Sequence, residues 1–346
     1  GCGKMTVIPP PPVPLSALEG VRLPPTEDLP IPLARSDAAL LRVAPGSALF
    51  TVHLPDLDET VQAFERTALH DLLASPELRD AFGPLALGLS MLESGPAGLT
   101  SNPMLAGSLE GEFVLSLIDI EFLPGAMGLP SLQGIVGFSS PGKGPAMGLL
   151  VEGLVGQAAQ DRSLRVERGI ASGTEFVRIM GENPVPYVAE IAVRDDALIV
   201  GLGRDVVTAA LARLADDTLP AINDGDSYRA SLDRCTHPDD ALRVHVEISR
   251  LLPRIEDALP PEGRAWIHAL GLANVRSIGG AIRFDGRNVV SSSLIDSPGG
   301  RDVVTRVLRG TAVDRSLLES LCGGASHQGV VAIAGDVPYL QLEDLL

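Results

Sequence analysis

The stretch Gly137-Phe138-Ser139-Ser140-Pro141-Gly142-Lys143-Gly144 fits the pattern G-x-x-x-x-G-K. In such a loop, glycines let successive backbone N–H groups wrap a phosphate, and the lysine reaches its outer oxygens. The flanks suit that chemistry: Ile135–Phe138 reads as a strand, and Pro145 to about Gln160 as a helix. Two features argue against it. Gly144 stands where a Ser or Thr would hold magnesium, and the neighbouring segments read as an antiparallel meander, without a parallel strand ending in a metal-binding Asp. Gly137, Gly142 and Lys143 are therefore the candidate phosphate contacts, while the sequence favours a glycine turn that opens a helix. No cofactor is expected.

Other chemistry-bearing residues are sparser. His245 and Glu247 are two apart on the predicted strand Leu242–Ile248, so they share a face that could serve a metal or acid–base chemistry. A half-buried, hydrogen-bonded couple is the competing account and the favoured one. Cys235-Thr236-His237 and Cys322 with His327 could offer two thiols and two imidazoles to zinc, but the spacings C-x-H and C-x4-H are not those of a finger. A Cys235–Cys322 disulfide and two free buried thiols are the alternatives. Gly225-Asp226-Ser227-Tyr228 resembles the GDS block of a lipase/esterase family, whose serine is the nucleophile. That family places the block near the N-terminus and adds a late Asp-x-x-His; neither holds here, so Ser227 reads as a turn or cap residue. Gly201-Leu202-Gly203 lacks the third glycine of a dinucleotide fingerprint. No catalytic residue is assigned.

The elements that must position these groups are organised around a repeat. Gly203-Arg204-Asp205-Val206-Val207-Thr208 recurs as Gly300-Arg301-Asp302-Val303-Val304-Thr305, each copy after a predicted hairpin and before a helical apolar spacing. Asp205 and Asp302 fall at the helix starts, where a carboxylate can accept backbone N–H bonds. The strand Ala48–Leu54 and the helix from Leu57 are echoed by Leu242–Ile248 and Leu251–Leu259. The expected fold is α+β: antiparallel sheets of repeated hairpin–helix and strand–helix units, with helices packed on one face. A linker over residues 1–46, a first domain over 47–220 and a repeat-related second domain over 221–346 follow. The leucine-rich ending resembles the start of a further unit.

Composition bounds the partners. The 346 residues carry a net charge of −17, and Lys4 and Lys143 are the lysines among mostly arginine cations. Such a chain repels phosphate backbones, and no basic cluster offsets this, so nucleic acid is not an expected partner. Hydrophobic residues make up 45% and aromatics 3%, so the core must be aliphatic.

At the N-terminus, Gly1-Cys2-Gly3-Lys4 resembles the cleavage junction of bacterial lipoproteins, in which a small residue precedes the cysteine that is lipidated. The prolines that follow, Pro9-Pro10-Pro11-Pro12 to Pro32, suit a semi-rigid spacer. The body, roughly Ala48 to Leu346, is similar by pattern to uncharacterised bacterial extracytoplasmic lipoproteins with repeated strand–helix units. The resemblance implies a lipid on Cys2 and a membrane-anchored envelope location. Gly3 after the cysteine points to the outer membrane, facing the periplasm or the cell surface. A non-catalytic scaffold or protein-binding module with an envelope protein partner is the expected function. A carrier of an apolar ligand or lipid beneath the sheet is the alternative, and an enzyme using the 137–144 loop comes third.

Overall fold

A computed structural model describes residues 39–73, 111–122, 130–181, 187–232, 235–256, 258–269 and 271–298. All fall within one compact unit of the chain, Pro30–Asp302. Cys2, the proline-rich segment, the second copy Gly300–Thr305, Cys322, His327 and the leucine-rich ending lie outside the described residues.

Among the described residues ten strands form one sheet: β1 (Phe50–Leu54), β2 (Phe113–Phe122), β3 (Pro130–Ser139), β4 (Leu164–Ala171), β5 (Thr174–Gly181), β6 (Tyr187–Arg194), β7 (Ala197–Leu202), β8 (Leu242–Val246), β9 (Ser277–Asp285) and β10 (Asn288–Asp296). Their order is β10-β9-β8-β1-β2-β3-β7-β6-β5-β4, and every neighbouring pair is antiparallel. The mixed α+β expectation thus holds, and the hairpins expected at β6–β7 and β9–β10 are both present. Residue 220, the expected internal boundary, lies between β7 and β8, and strand pairing runs across it through β1 and β8.

Among the described residues seven α-helices accompany the sheet: α1 (Leu57–Glu65), α2 (Ala68–Leu73), α3 (Gly144–Gln160), α4 (Val206–Ala215), α5 (Asp226–Leu232), α6 (Ile248–Glu256) and α7 (Pro261–Ala269). They correct one expectation, because they cover both faces. Residues opposite one another in the pairing share a face. Val114, Ile135 and Ile199 lie on the first face with the short 3-10 helix Ala39–Val43 and with Val207, Ala210 and Leu211 of α4. Val177, Ile191 and Leu198 lie on the second, under Met147, Val151 and Val155 of α3. The physical reason is legible in β6 and β7. Ile191 and Ala192 are consecutive and buried, as are Leu198 and Ile199. A strand apolar on successive residues must be covered twice, as strands buried on both faces are.

The Gly203–Thr208 turn brings a second correction. Gly203 has φ 108° and Asp205 φ 64°, both left-handed. Asp205 stands at the cap of α4, yet its side chain makes no capping bond. The anion at that helix start is Glu190 of β6: Oε1 accepts from Asp205 N and Oε2 from Val207 N, both at 2.9 Å. Arg178 of β5 donates to Glu190 at 2.8 Å and to Asp205 at 2.6 Å, tying the turn to the sheet. Burial works to lower the Arg178 guanidinium, but the bonds and charges of Glu190 and Asp205 more than offset it and raise its pKa.

Candidate functional site

The 137–144 stretch is strand, turn and helix, as its spacing predicts: β3 ends at Ser139 and α3 begins at Gly144. The cradle is real, and a carboxylate from the same chain fills it. Gly142 N–H donates to Asp196 Oδ2 at 2.8 Å and Gly144 N–H to Asp196 Oδ1 at 3.0 Å. Ser140 N–H donates to the Asp196 carbonyl at 2.8 Å. These bonds to Gly142 and then Gly144 hold the Asp196 carboxyl below its ordinary range. Asp196 sits in the β6–β7 turn, delivered by the pairing of β7 with β3.

Each glycine of the motif has a reason in the fold. At Gly137 a Cβ would lie 3.1 Å from Leu40 Cδ1, so the bare backbone admits the 3-10 helix. Gly142 has φ 74°, where side chains are strained. A Cβ at Gly144 would lie 2.2 Å from the Asp195 carbonyl oxygen. The backbone N–H groups that a bound phosphate would use are therefore engaged with Asp196.

His245 and Glu247 do share a neighbourhood, His245 Nε2 lying 3.6 Å from Glu247 Oε2. The structure adds a third member. Ser231 of α5 places its Oγ 2.9 Å from His245 Nδ1 and donates to the Tyr228 carbonyl at 3.0 Å. Ser231 thus links the Tyr228 carbonyl to His245 Nδ1, and the ring's Nε2 faces the Glu247 carboxylate. Serine, histidine and glutamate in this order have the composition of a nucleophile relay. Here, however, Ser231 is 0% exposed, His245 1% and Glu247 6%, all beneath α5. Gly279 of β9 makes that closure possible, since a Cβ there would lie 2.5 Å from the Ser231 carbonyl oxygen. With its proton on a main-chain carbonyl and no exposed surface, Ser231 is a buried structural hydroxyl. It was not legible in sequence, because it lies 14 residues from His245 on a helix that the spacing did not predict.

The same face continues as a buried polar seam. Thr51 lies opposite both His245 and Ser116, and its hydroxyl is 2.9 Å from that of Ser116. His53 Nε2 lies 3.0 Å from Glu112 Oε1. That carboxylate also accepts from Leu40 N and Leu41 N at the start of the 3-10 helix.

Glu247 is the seam's most perturbed group. Burial works to raise its pKa, but the ring of His245 and then the hydroxyls of Ser227 and Ser249 prevail and hold it at about 2. Its folded value lies below the ordinary 4.5, so its contribution is complete above that pH and is lost as the pH falls toward 2. At about 1.4 kcal/mol per pH unit this is worth up to about 3 kcal/mol. Glu247→Gln is expected to lose that amount at neutral pH and to flatten the acid limb of the stability profile between those two pH values. Urea unfolding at a series of pH values reads both; an unchanged acid limb would contradict the assignment.

The remaining thiol is not poised for chemistry. Cys235 is half-buried, its Sγ–H donates to the Ser231 carbonyl at 3.1 Å, and burial followed by Asp240 pushes its pKa up to about 11. His237 pairs with Asp239 at 3.4 Å. Among the described residues no cluster of three or more His, Cys, Asp or Glu side chains could hold a metal, and no helix is long and apolar enough to cross a membrane. No protein-family model, curated protein or solved structure matches this chain.

Proposed function

We propose that this chain is a lipoprotein tethered through Cys2 to the bacterial cell envelope, and that its folded body is a non-catalytic scaffold or protein-binding module. One observation carries the second half. The residues best suited by type and spacing to chemistry are consumed by the fold: Asp196 occupies the glycine loop, and Ser231, His245 and Glu247 are closed beneath α5. Leu132 and Leu202, each about half exposed (46% and 48%) on the second face of neighbouring strands, add apolar surface suited to a protein contact. The alternative, an apolar ligand beneath the sheet, has less support, because helices and aliphatic side chains pack against both faces.

We also read the body as internally duplicated. Among the described elements, β1–α1–α2–β2–β3 and β8–α6–α7–β9–β10 follow the same order, with β1 and β8 antiparallel neighbours in which Val52 lies opposite Val244. His53 and His245 are each the fourth residue of their strand, and Ser-Pro-Gly follows both β3 and β10.

Fractionation of the producing bacterium tests the tether. The full-length protein is expected in the membrane pellet and Cys2→Ser in the soluble fraction. A Cys2→Ser variant that stays in the pellet, extractable only by detergent, would contradict it.

A further inference from the structure

The fold carries an open groove of about 560 Å³ away from the glycine loop. Its walls are the Pro45-Gly46-Ser47 turn, Ala209, Ala212 and Arg213 of α4, Leu219-Pro220-Ala221, Asp224-Gly225, and Arg250 of α6. Most of that lining is apolar. The charges are what set it apart.

Arg213 is 9% exposed. Its Nε donates to the Arg42 carbonyl at 3.2 Å and its Nη2 to the Val43 carbonyl at 2.5 Å. Arg250 Nη1 donates to the Gly46 carbonyl at 2.9 Å. Among the described residues neither guanidinium has a carboxylate partner; Arg250 is exposed to solvent, whereas at the buried Arg213 main-chain carbonyls answer the hydrogens and no carboxylate answers the charge. Burial, and then the neighbouring Arg42 cation, push the Arg213 guanidinium down to about 10, the direction expected of an uncompensated cation. The one acid in the lining, Asp224, is already engaged: it accepts from Ala221 N at 3.0 Å and pairs with Arg42 at 3.5 Å and Arg229 at 3.7 Å.

The groove therefore joins one buried guanidinium, Arg213, to one exposed one, Arg250, neither with a carboxylate partner among the described residues, on a chain of net charge −17. A buried cation without a counter-charge is costly, and an anion that enters supplies the missing half of the pair. The apolar remainder of the lining, Pro45, Ala209, Ala212, Leu219 and Pro220, favours a ligand with a compact hydrocarbon part over a fully polar anion. Arginine offers planar paired donors that match a carboxylate.

We propose that this groove binds a small amphipathic monocarboxylate, with its carboxylate between Arg213 and Arg250 and its alkyl part along α4. The proposal goes beyond the protein-binding reading and adds a small-ligand site to the same folded body. Octanoate is a suitable probe, with 1-octanol as the uncharged control, each followed by saturation-transfer NMR on the full-length protein. Saturable transfer to octanoate and little to octanol is expected. Arg250→Gln, at the exposed end of the groove, is expected to weaken octanoate binding about tenfold, the loss of one charge-assisted contact. Arg213→Gln is expected to weaken it at least as much; because Arg213 also holds the Arg42 and Val43 carbonyls, Arg250→Gln is the decisive variant. No saturable transfer, equal transfer to octanol, or unchanged affinity in Arg250→Gln would each overturn the proposal. Conversion of octanoate into new resonances would overturn the non-catalytic reading alone, since the Arg250 dependence judges the groove separately.

Discussion

Glu190→Ala is expected to destabilise the protein by about 3–5 kcal/mol, the range found when one partner of a buried ion pair is removed. Glu190 is 0% exposed and serves three groups at once: the Arg178 guanidinium, Asp205 N–H and Val207 N–H. Alanine would leave a largely buried cation facing a cavity and two helix-start donors without an acceptor. Glu190→Gln keeps the shape and can still accept one N–H, so a smaller loss is expected. Denaturant midpoints measure both. A loss below about 1 kcal/mol for alanine would mean that the turn is held by packing alone. Packing does contribute: a Cβ at Gly201 would lie 2.9 Å from Val207 Cγ2, so α4 sits tight on β7.

The second large effect is expected at Gly144. A methyl there would lie 2.2 Å from the Asp195 carbonyl oxygen, a backbone atom at the turn that also carries Asp196. Gly144→Ala must push α3 away from the β6–β7 turn, or push the turn outward. Either movement breaks the two N–H bonds to Asp196 and loosens Met147 and Val151 above Leu198. The expected cost is about 2–4 kcal/mol, overpacking plus lost charge-assisted bonds. Asp196→Asn retains the side-chain shape and should cost less, about 1 kcal/mol, through weaker acceptance by a neutral amide. Thermal melts of the two variants give the ranking. Gly144→Ala as stable as the wild type would contradict the close approach of α3 to the turn.

Much of the local architecture was legible in the sequence, because it is written in neighbouring residues. The strand–turn–helix at 130–160, the hairpins with turns at Asp195-Asp196 and Gly286-Arg287, and the shared face of His245 and Glu247 follow from period and turn chemistry. What was not legible is the partner in each case. Asp196 reaches Gly142 across 54 residues, Glu190 reaches Val207 across 17, and Ser231 reaches His245 across 14. Asp205 is next to the helix it was expected to cap, yet a left-handed backbone leaves its side chain outside that role, free to bond Arg178. Coverage of both sheet faces was also missed. The consecutive buried residues of β6 and β7 were the available signal, and a hairpin reading based on turns alone does not count them.

The groove arginines were invisible for a related reason. Arg213 and Arg250 are 37 residues apart, on separate helices, and in sequence neither differs from the other arginines of the chain. Only the placement of carbonyls rather than carboxylates around them marks them out.

The central claim is that the residues able to do chemistry serve the fold, and the glycine loop tests it most directly. Amide resonances of Gly142 and Gly144 can be followed while Mg-ATP is titrated into the wild-type protein and into Asp196→Asn. Both amides are expected to move on substitution of Asp196, whose carboxylate they bond, and neither is expected to move with nucleotide in the wild type. Saturable shifts of Gly142 and Gly144 with Mg-ATP in the wild-type protein would show the loop open to phosphate and would contradict it.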